Sequence, residues 1–376
     1  METTHTTLLH LSLCEHVGPV FIERLCAACP NVPTVYEWSP SDWIERMRVT
    51  PERASALVTH LQSQQLLDTE LTRIEQGAAQ WITIADPLYP PMLRAIHAPP
   101  PILYWRGSLD ALRNPQSLAI IGSRHANSYG ARIMKQFVPQ LVEDGFTIVS
   151  GGAIGADTMT HRETLDADGI TVAVLGSGLA RLYPHSNKRL FEEIVATNGA
   201  LVSPFPMHFE PIAQNFPARN RIIAGLSRGC LVVQAAAKSG TRITADYALQ
   251  QGREVFVVPG AFDDILSAGC HALARDGAQI VSSAQEICAE LGIPTTQKAD
   301  TVQQTVIETT VEQPVITAPE PPSLRTQIKG AARSPVTVDE LVTHLRLEYD
   351  IIQRELWDMQ WHGIAQQDFT GRWQSF

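Results

Sequence analysis

Between Leu118 and Gly260 the sequence repeats one local pattern, in which a short apolar run ends in a loop of small residues and leads into a helix-like segment. The first copy is LAIIGSRHANSYGARIMKQF, with Leu118–Ile121 as the strand and a helix opening near Ser128. Later copies are FTIVSGGAIGADTMTHRETL, TVAVLGSGLARLYPHSNKRL and CLVVQAAAKSGTRITADYAL. Continuous apolar strands that alternate with helices predict an α/β fold with a mostly parallel sheet covered on both faces. The loops then meet at the carboxyl edge of the strands, where open α/β sheets bind ligands.

The 376 residues exceed a typical single domain, and we expect several domains. Residues 1–79 are predicted to form an all-helical domain, residues 80–295 the sheet domain, residues 296–325 a linker rich in Thr, Gln, Pro and Glu, and residues 326–376 a small winged helix. The winged helix is predicted from two helices and a hairpin with Thr370-Gly371 at its turn.

The two outer domains have little cationic support for DNA binding. The helical domain has a glycine turn at Gly18-Pro19 that is typical of a helix-hairpin-helix, but it carries five Lys/Arg against ten Asp/Glu. This balance favours a packing domain over a phosphate contact. The winged helix carries seven Asp/Glu against five Lys/Arg, so a protein-contact or vestigial role is as plausible there as DNA reading.

The composition bears on where the protein acts and on which ligands it can bind. No apolar run approaches the length of a membrane span and the N-terminus lacks a basic leader region, so a cytoplasmic protein without a membrane partner is expected. The net charge of −10 disfavours nucleic-acid binding over the whole surface, yet residues 118–225 balance at nine charges of each sign. Cys26 and Cys29 form a CxxC without a second pair, so we expect free thiols and no metal site.

The turn Gly122-Ser123-Arg124 has the composition of a phosphate-binding loop, because glycine lets an anion approach the backbone and arginine adds a forked cation. The chain has neither GxxxxGK[ST] anywhere nor GxGxxG at this turn, and this absence argues against a P-loop nucleotidase. Similar loops of small residues follow the other predicted strands and would lie along the same edge of the sheet. Several phosphate-binding loops side by side suit a chain of phosphates better than one mononucleotide. The further candidates are Ser150, Gly151, Gly152, Lys188, Arg219, Asn220 and Arg221.

Two structural alternatives stay open at this point. The glycine turns can serve a purely steric purpose. Arg219 and Arg221 can equally be buried arginines that tie loops to backbone carbonyls. Asp157 and His161, one helical turn apart, could be a general base with its orienting carboxylate. We favour a structural role for this pair, in which Asp157 bonds loop amides and His161 packs on the sheet.

The motifs IIGSRHANSYG, SGGAIGADTMTHRETL, YPHSN, FPARNRIIAGLS and SGTRITADYAL, in this order, resemble the DNA-processing protein A (DprA/Smf) family over roughly residues 80–290. The resemblance implies an extended Rossmann-like sheet domain, preceded by a sterile-alpha-motif-like helical domain and followed by a winged helix. It implies a protein that is not an enzyme and has no cofactor. Such a protein binds and protects single-stranded DNA entering during natural transformation and loads the recombinase RecA onto it.

The resemblance also assigns residues. Gly122, Ser123 and Arg124 with Lys188 would form the phosphate-binding pocket, with Asn220 and the Ser150–Gly152 loop beside it. A homodimer would form through the end of the Rossmann-like domain, near Gly269, His271, Leu273 and Ile280.

The sequence departs from the family pattern at a few positions. Ile154 stands where the family usually has arginine, Pro204 and Gln234 where it has acidic residues, and Asn127 where it often has serine. Losing one cation weakens the second loop as a phosphate contact, whereas losing two carboxylates makes the edge less repulsive to DNA.

Two other functions compete with DNA binding. One is a nucleotide-processing hydrolase of the lysine-decarboxylase-like (LOG) type, but its PGGxGTxxE signature is replaced here by SGTRITAD, without the catalytic glutamate. The other is an interaction scaffold in which the outer domains do the binding.

Overall fold

A computed structural model describes residues 3–294, 324–332, 334–361, 364–367 and 372–375. The chain divides into two compact units, Met1–Thr301 and Val302–Phe376. Almost all of the predicted linker and the Thr370-Gly371 turn lie outside the described residues. The domain boundaries at residues 79, 295 and 325 therefore stay predictions.

The first unit begins with five helices and a short 3-10 turn at Val32–Glu37. Proline occupies the first position of α2, α3 and α4, where its missing N–H costs no hydrogen bond. Ser39 and Asp42 form a reciprocal capping box at the start of α3. The helices are α1 (Thr4–Ser12), α2 (Pro19–Ala28), α3 (Pro40–Met47), α4 (Pro51–Gln62) and α5 (Gln65–Gln76).

Nine strands among the described residues form one sheet in the order β1-β2-β6-β5-β4-β3-β7-β8-β9. Strands β3 to β9 are all mutually parallel, whereas β2 pairs antiparallel with both β1 and β6. The predicted fold class, α/β with a mostly parallel sheet, is confirmed. The strands are β1 (Gln80–Thr83), β2 (Ile102–Gly107), β3 (Ser117–Ile121), β4 (Thr147–Ser150), β5 (Thr171–Val174), β6 (Ala200–Ser203), β7 (Gly229–Val232), β8 (Glu254–Val257) and β9 (Gln279–Ile280).

Helices cover both faces because consecutive strand residues point to opposite sides. Leu118 and Ile120 of β3 pack on one face against α7 and α13, while Ala119 and Ile121 belong to the other core, with α10, α11 and α12. The connecting helices are α6 (Pro91–Arg94), α7 (Ser128–Glu143), α8 (Ala156–Asp166), α9 (Lys188–Ala196), α10 (Asn215–Gly225), α11 (Gly240–Gln250), α12 (Ala268–Arg275) and α13 (Ala284–Glu290). The expected opening of a helix near Ser128 is confirmed.

The described residues of the second unit form three helices and an antiparallel pair of strands, α14 (Leu324–Ala331), α15 (Val338–Leu345), α16 (Tyr349–Trp361), β10 (Ala365–Gln367) and β11 (Trp373–Ser375). Its core is formed by buried side chains from all three helices and both strands, including Ile328, Leu341, Leu356, Ala365 and Trp373. The two helices and the pairing of two strands expected from the sequence are confirmed, and α14 adds a third helix.

None of the helices that the structure describes combines the length and the apolar character needed to span a bilayer.

The N-terminal helices share a core with one face of the sheet, where buried residues such as Leu8 and Trp43 belong to the same cluster as Tyr104 and Leu201. A buried carboxylate adds a polar link. Glu70 of α5 is 1% exposed and accepts a hydrogen bond from the backbone N–H of Met207 at 2.6 Å. The helices and the sheet are therefore expected to unfold together.

Replacement of Glu70 tests this coupling. Glu70→Ala leaves the buried N–H of Met207 without an acceptor, so we expect the free energy of unfolding to fall by about 1–3 kcal/mol. Urea denaturation followed by tryptophan fluorescence and by circular dichroism measures the change. Glu75→Ala, at an exposed position of the same helix, is the control and should change little. A helical region that melts in a separate transition in the wild type would contradict the coupling.

Candidate functional site

The sheet has a topological switch point beside its central strand. From β3 the chain proceeds outward through β4, β5 and β6 on one side, and it later returns to place β7, β8 and β9 on the other side. The loops that follow β3 and β7 therefore diverge, which opens a crevice at the carboxyl ends of these two strands. Two cavities occupy this edge of the sheet.

The loop after β3 is fixed by contacts with both neighbouring loops. A Cβ on Gly122 would lie 2.7 Å from that of Ala156, so the close approach requires glycine. The N–H of Ala156 donates to the carbonyl of Ser123 at 3.0 Å, and the hydroxyl of Thr241 donates to the carbonyl of Gly122 at 3.1 Å. This packing sets the position of the residue that follows, Arg124, which is exposed.

The start of α7 is held by a side-chain pair. The side-chain oxygen of Asn127 accepts from the N–H of Tyr129 at 2.9 Å and caps the helix. Gln234, fully buried after β7, accepts from the N–H of Asn127 and donates back to its side-chain oxygen, both at 3.1 Å. Two of the positions expected to depart from the DprA/Smf pattern thus bind each other.

The loop after β4 turns its polar groups inward. The hydroxyl of Ser150 is buried and donates to the carbonyl of Ile120 at 2.7 Å. The carboxylate of Asp157 accepts from the N–H of Ala153 at 3.2 Å. Burial raises the pKa of Asp157, and the nearby positive charge of Arg219 opposes that shift.

His161 is fully buried, and its Nδ1 lies 2.7 Å from the hydroxyl of Thr171. Burial lowers the pKa of His161 to about 3, so the imidazole is neutral at ordinary pH. The side chain of His161 lines neither of the two cavities at the sheet edge. The contacts expected for this pair, of Asp157 with a loop amide and of His161 with a strand of the sheet, are confirmed.

Arg219 is a buried tie between loops. It is 4% exposed, and its guanidinium donates to the carbonyl of Gly151 and, at 2.9 Å, to that of Val174. Burial lowers the pKa of Arg219 to about 10, while the carboxylate of Asp157 acts in the opposite direction. Arg219 therefore remains charged at neutral pH and binds the ends of β4 and β5 together.

Arg221 is partly buried against the segment that precedes β2. Its guanidinium donates to the carbonyls of His97 and Ala98, both at 2.6 Å. Burial lowers the pKa of Arg221. Of the two arginines in FPARNR, Arg219 binds carbonyls at the carboxyl ends of β4 and β5. Arg221 binds carbonyls of the segment that precedes β2.

Arg124 lies over an aromatic ring, that of Phe216, which was not among the predicted site residues. Its guanidinium carbon is 5.4 Å from the centroid of the partly buried Phe216, and that of Arg219 is 5.7 Å from the same ring. Phe216 opens the FPARN motif, which marks the segment but does not show whether this ring lies at the rim or in the core. A guanidinium at this distance is attracted to the face of the ring, so Phe216 helps to hold an exposed cation at the rim of the sheet.

The two cavities meet at this ring. The larger one, of about 700 Å³, lies beyond β3 and β7, and the smaller cleft lies beyond β4 and β5. Arg124, Ala153, Phe216 and Arg219 line both. Of the ten predicted phosphate-binding residues, those that line a cavity are Gly122, Ser123, Arg124, Gly151, Arg219 and Asn220, whereas Ser150, Gly152, Lys188 and Arg221 line neither.

Lys188 is exposed at the start of α9, four residues after Pro184 of the smaller cleft. The preceding residue fixes its position, because the buried side chain of Asn187 donates to the carbonyl of Gly152 at 3.0 Å and to the hydroxyl of Thr158 at 2.8 Å. The YPHSN motif thus joins the loop after β5 to the loop after β4.

The residues predicted for the dimer region differ in exposure. Gly269 and Leu273 are buried, and the ring of His271 lies 3.1 Å from the carbonyl of Gly260. Ile280 is 61% exposed on β9, the last strand at one end of the sheet. Of these four residues, Ile280 alone presents a largely exposed apolar side chain.

Within the described part of the chain, no group of three or more histidine, cysteine or acidic side chains could hold a metal ion. Cys26 and Cys29 are both free thiols, and the thiol of Cys29 contacts the carbonyl of Asn31 at 3.3 Å.

The chain is similar to a set of known proteins. The family model described as DNA recombination-mediator protein A matches residues 80–292. The chain is 35% identical to protein Smf of Synechocystis over 80% of its own length and 81% of that protein, and 41% identical to DNA processing protein DprA of Streptococcus pneumoniae over 55% and 73%.

Solved structures agree with these matches. The crystal structure of DNA processing protein A from S. pneumoniae superposes with a TM-score of 0.68 at 32% identity, covering 77% of this chain and 99% of that one. A structure of the Helicobacter pylori protein, reported for its single-stranded DNA binding mode, gives a TM-score of 0.51 at 31% identity, with 56% and 95% covered.

Arg219 can be tested as a structural residue. Arg219→Ala leaves the carbonyls of Gly151 and Val174 without donors and Asp157 without a facing charge, so we expect the free energy of unfolding to fall by about 3 kcal/mol. Arg124→Ala removes an exposed side chain and should change it by less than about 0.5 kcal/mol. Thermal and urea denaturation of both variants give the comparison. Equal stability of the two variants would contradict the assignment of Arg219 as a buried tie.

Proposed function

The chain belongs to the DNA recombination-mediator protein A (DprA/Smf) family, and from this premise we propose that it binds single-stranded DNA along the carboxyl edge of its sheet. The observation that carries the proposal is Arg124, an exposed arginine whose guanidinium lies over Phe216 and which, like that ring, lines both cavities. The ligand is a strand whose phosphates contact the Gly122–Arg124 loop.

Three physical features suit a single strand. Arg124 and Lys188 are exposed cations that can neutralise phosphates. The glycine loops leave backbone close to the rim, so phosphates can approach it. Phe216 and Tyr183, which is 44% exposed, line the smaller cleft and can contact bases, which are accessible in a single strand. Such contacts depend little on base sequence.

The distribution of charge supports the same surface. The net charge of −10 repels DNA in general. In the helical region, Arg24 and Arg53 donate to backbone carbonyls and Arg73 lies 3.6 Å from Glu70. Because these cations already have partners, the N-terminal helices are proposed as a packing region rather than a DNA contact.

We extend the proposal to the biological role of the family. The protein would act in the cytoplasm, protect DNA that enters during natural transformation and load RecA onto it, as a homodimer joined near Ile280. An exposed isoleucine on an edge strand supports the dimer surface. No catalytic step is proposed, because Asp157 and His161 are buried in structural roles and SGTRITAD lacks the glutamate of the hydrolase signature.

Single-strand binding can be tested on the two exposed cations. Arg124→Ala and Lys188→Ala are each expected to weaken binding of an oligothymidylate about tenfold and to make the dependence of log affinity on log salt less steep by about 0.7. Fluorescence anisotropy at several salt concentrations gives both quantities. Lys135→Ala removes the same charge from an exposed position on α7, which lines neither cavity, and should bind as wild type.

Wild-type affinity and salt dependence in the Arg124 and Lys188 variants would show that the strand binds elsewhere. Release of free base from nucleoside monophosphates by the wild-type protein would instead favour the hydrolase.

The dimer surface is tested separately. Ile280→Asp places a charge on an exposed edge strand and is expected to convert a homodimer to a monomer without unfolding, because the side chain is largely solvated in the single chain. Light scattering after size exclusion measures the mass. Leu66→Asp changes an equally apolar residue, 51% exposed on α5, and should leave the dimer intact. If Ile280→Asp remains dimeric, the interface lies elsewhere.

A further inference from the structure

The larger cavity extends well beyond the residues assigned to phosphate binding. With a volume of about 700 Å³, it lies within the roughly 300–1,000 Å³ range of small-molecule sites. One wall is the Gly122–Arg124 loop after β3, and the other is the segment from Lys238 to Thr244 that leads into and begins α11. It therefore fills the crevice of the switch point, where open α/β sheets accept ligands.

The lining divides into an apolar and a polar part. Ile243, Ile265 and Leu266 contribute aliphatic surface, and the first two are 39% and 77% exposed. Arg124, Lys238 and Asn220 contribute polar and cationic groups. Exposed aliphatic side chains in the same concavity as cations suit a ligand with a flat apolar part and an anionic part.

Two enclosed polar atoms of the lining lack hydrogen-bond partners in the part of the chain that the structure describes. One is Nε of Arg219, a side chain that is 4% exposed, and the other is the hydroxyl of Ser239. A buried polar group without a partner costs about 1–3 kcal/mol. A ligand with acceptor oxygens can offset that cost, and α11 begins at Gly240 with no side-chain cap.

From these features we propose that the cavity binds one nucleotide unit, with its base on the Ile243–Ile265 surface and its phosphate between Arg124 and Lys238. The inference rests on the proposed single-strand binding and extends it, because Arg124 and Phe216 line both cavities. A strand in the smaller cleft continues past this pair into the larger cavity. The same chemistry fits a free mononucleotide, which would then compete with the strand.

The experiment uses the full chain and two kinds of probe. Oligothymidylates that lengthen by one nucleotide measure what each added unit contributes to affinity. Free thymidine monophosphate and adenosine monophosphate, titrated alone and against a bound oligothymidylate, measure the competing source. Lys238→Ala removes the cation, Ile265→Gln removes apolar surface, and Lys135→Ala is the control for loss of charge. All three positions are exposed, so folding should be retained.

Lys238→Ala is expected to weaken the longer strands about tenfold, to abolish the gain from one added nucleotide and to make the salt dependence less steep by about 0.7. Ile265→Gln should weaken the same strands severalfold with an unchanged salt dependence, because it removes contact with a base and not with a phosphate. If the mononucleotides bind and compete, and Lys238→Ala weakens them too, the site is supported with a free nucleotide as a second source. If they do not bind, the strand is the source.

The inference is overturned if strands bind and Arg124→Ala weakens them while Lys238→Ala and Ile265→Gln bind every probe as wild type. In that case the proposed function stands and the larger cavity has no part in it. If no strand binds the wild type but mononucleotides bind it and Lys238→Ala weakens them, the proposed single-strand binding fails and the larger cavity stands as a nucleotide site. If neither binds, both fail.

Discussion

The loops after β3 and β4 touch backbone to backbone, and the geometry of the candidate site depends on that contact. The N–H of Ala156 bonds to the carbonyl of Ser123, and a Cβ at Gly122 or Gly155 would collide with the opposite loop. Because Gly155 has a φ of +80°, it also favours glycine on backbone grounds. With both loops fixed, Arg124 has a defined position at the rim rather than a range of positions on a free loop.

The polar residues of this edge divide into two classes by burial. Arg219, Asn187 and Gln234 are buried and tie strand ends and loops to one another. The cations Arg124, Lys188 and Lys238 are exposed. A buried charge such as Arg219 is held by partners within the fold, here the carbonyls of Gly151 and Val174, so it stabilises the scaffold, whereas a solvated charge can exchange water for a phosphate at small cost. A chain of net charge −10 can therefore bind a polyanion if a few exposed cations, such as these three, lie together along one edge of the sheet.

Local pattern was sufficient to predict the parallel sheet, the start of α7 at Ser128 and the edge that carries the loops, because these depend on neighbours in sequence. It could not decide the role of Arg219 or Arg221, since burial is set by segments such as Val174 and His97 that lie far along the chain. The mutual bonding of Asn127 and Gln234, 107 residues apart, was hidden for the same reason. Phe216 was missed because an aromatic residue in a motif has no local feature that separates a rim position from a core one.

The most direct test of the account is a crystal structure of the protein with a short oligothymidylate. We expect consecutive phosphates along the carboxyl edge of the sheet, with one within hydrogen-bonding distance of the Gly122–Arg124 amides and the guanidinium of Arg124. An oligonucleotide bound to the N-terminal helices or to the second unit, with that edge empty, would contradict it.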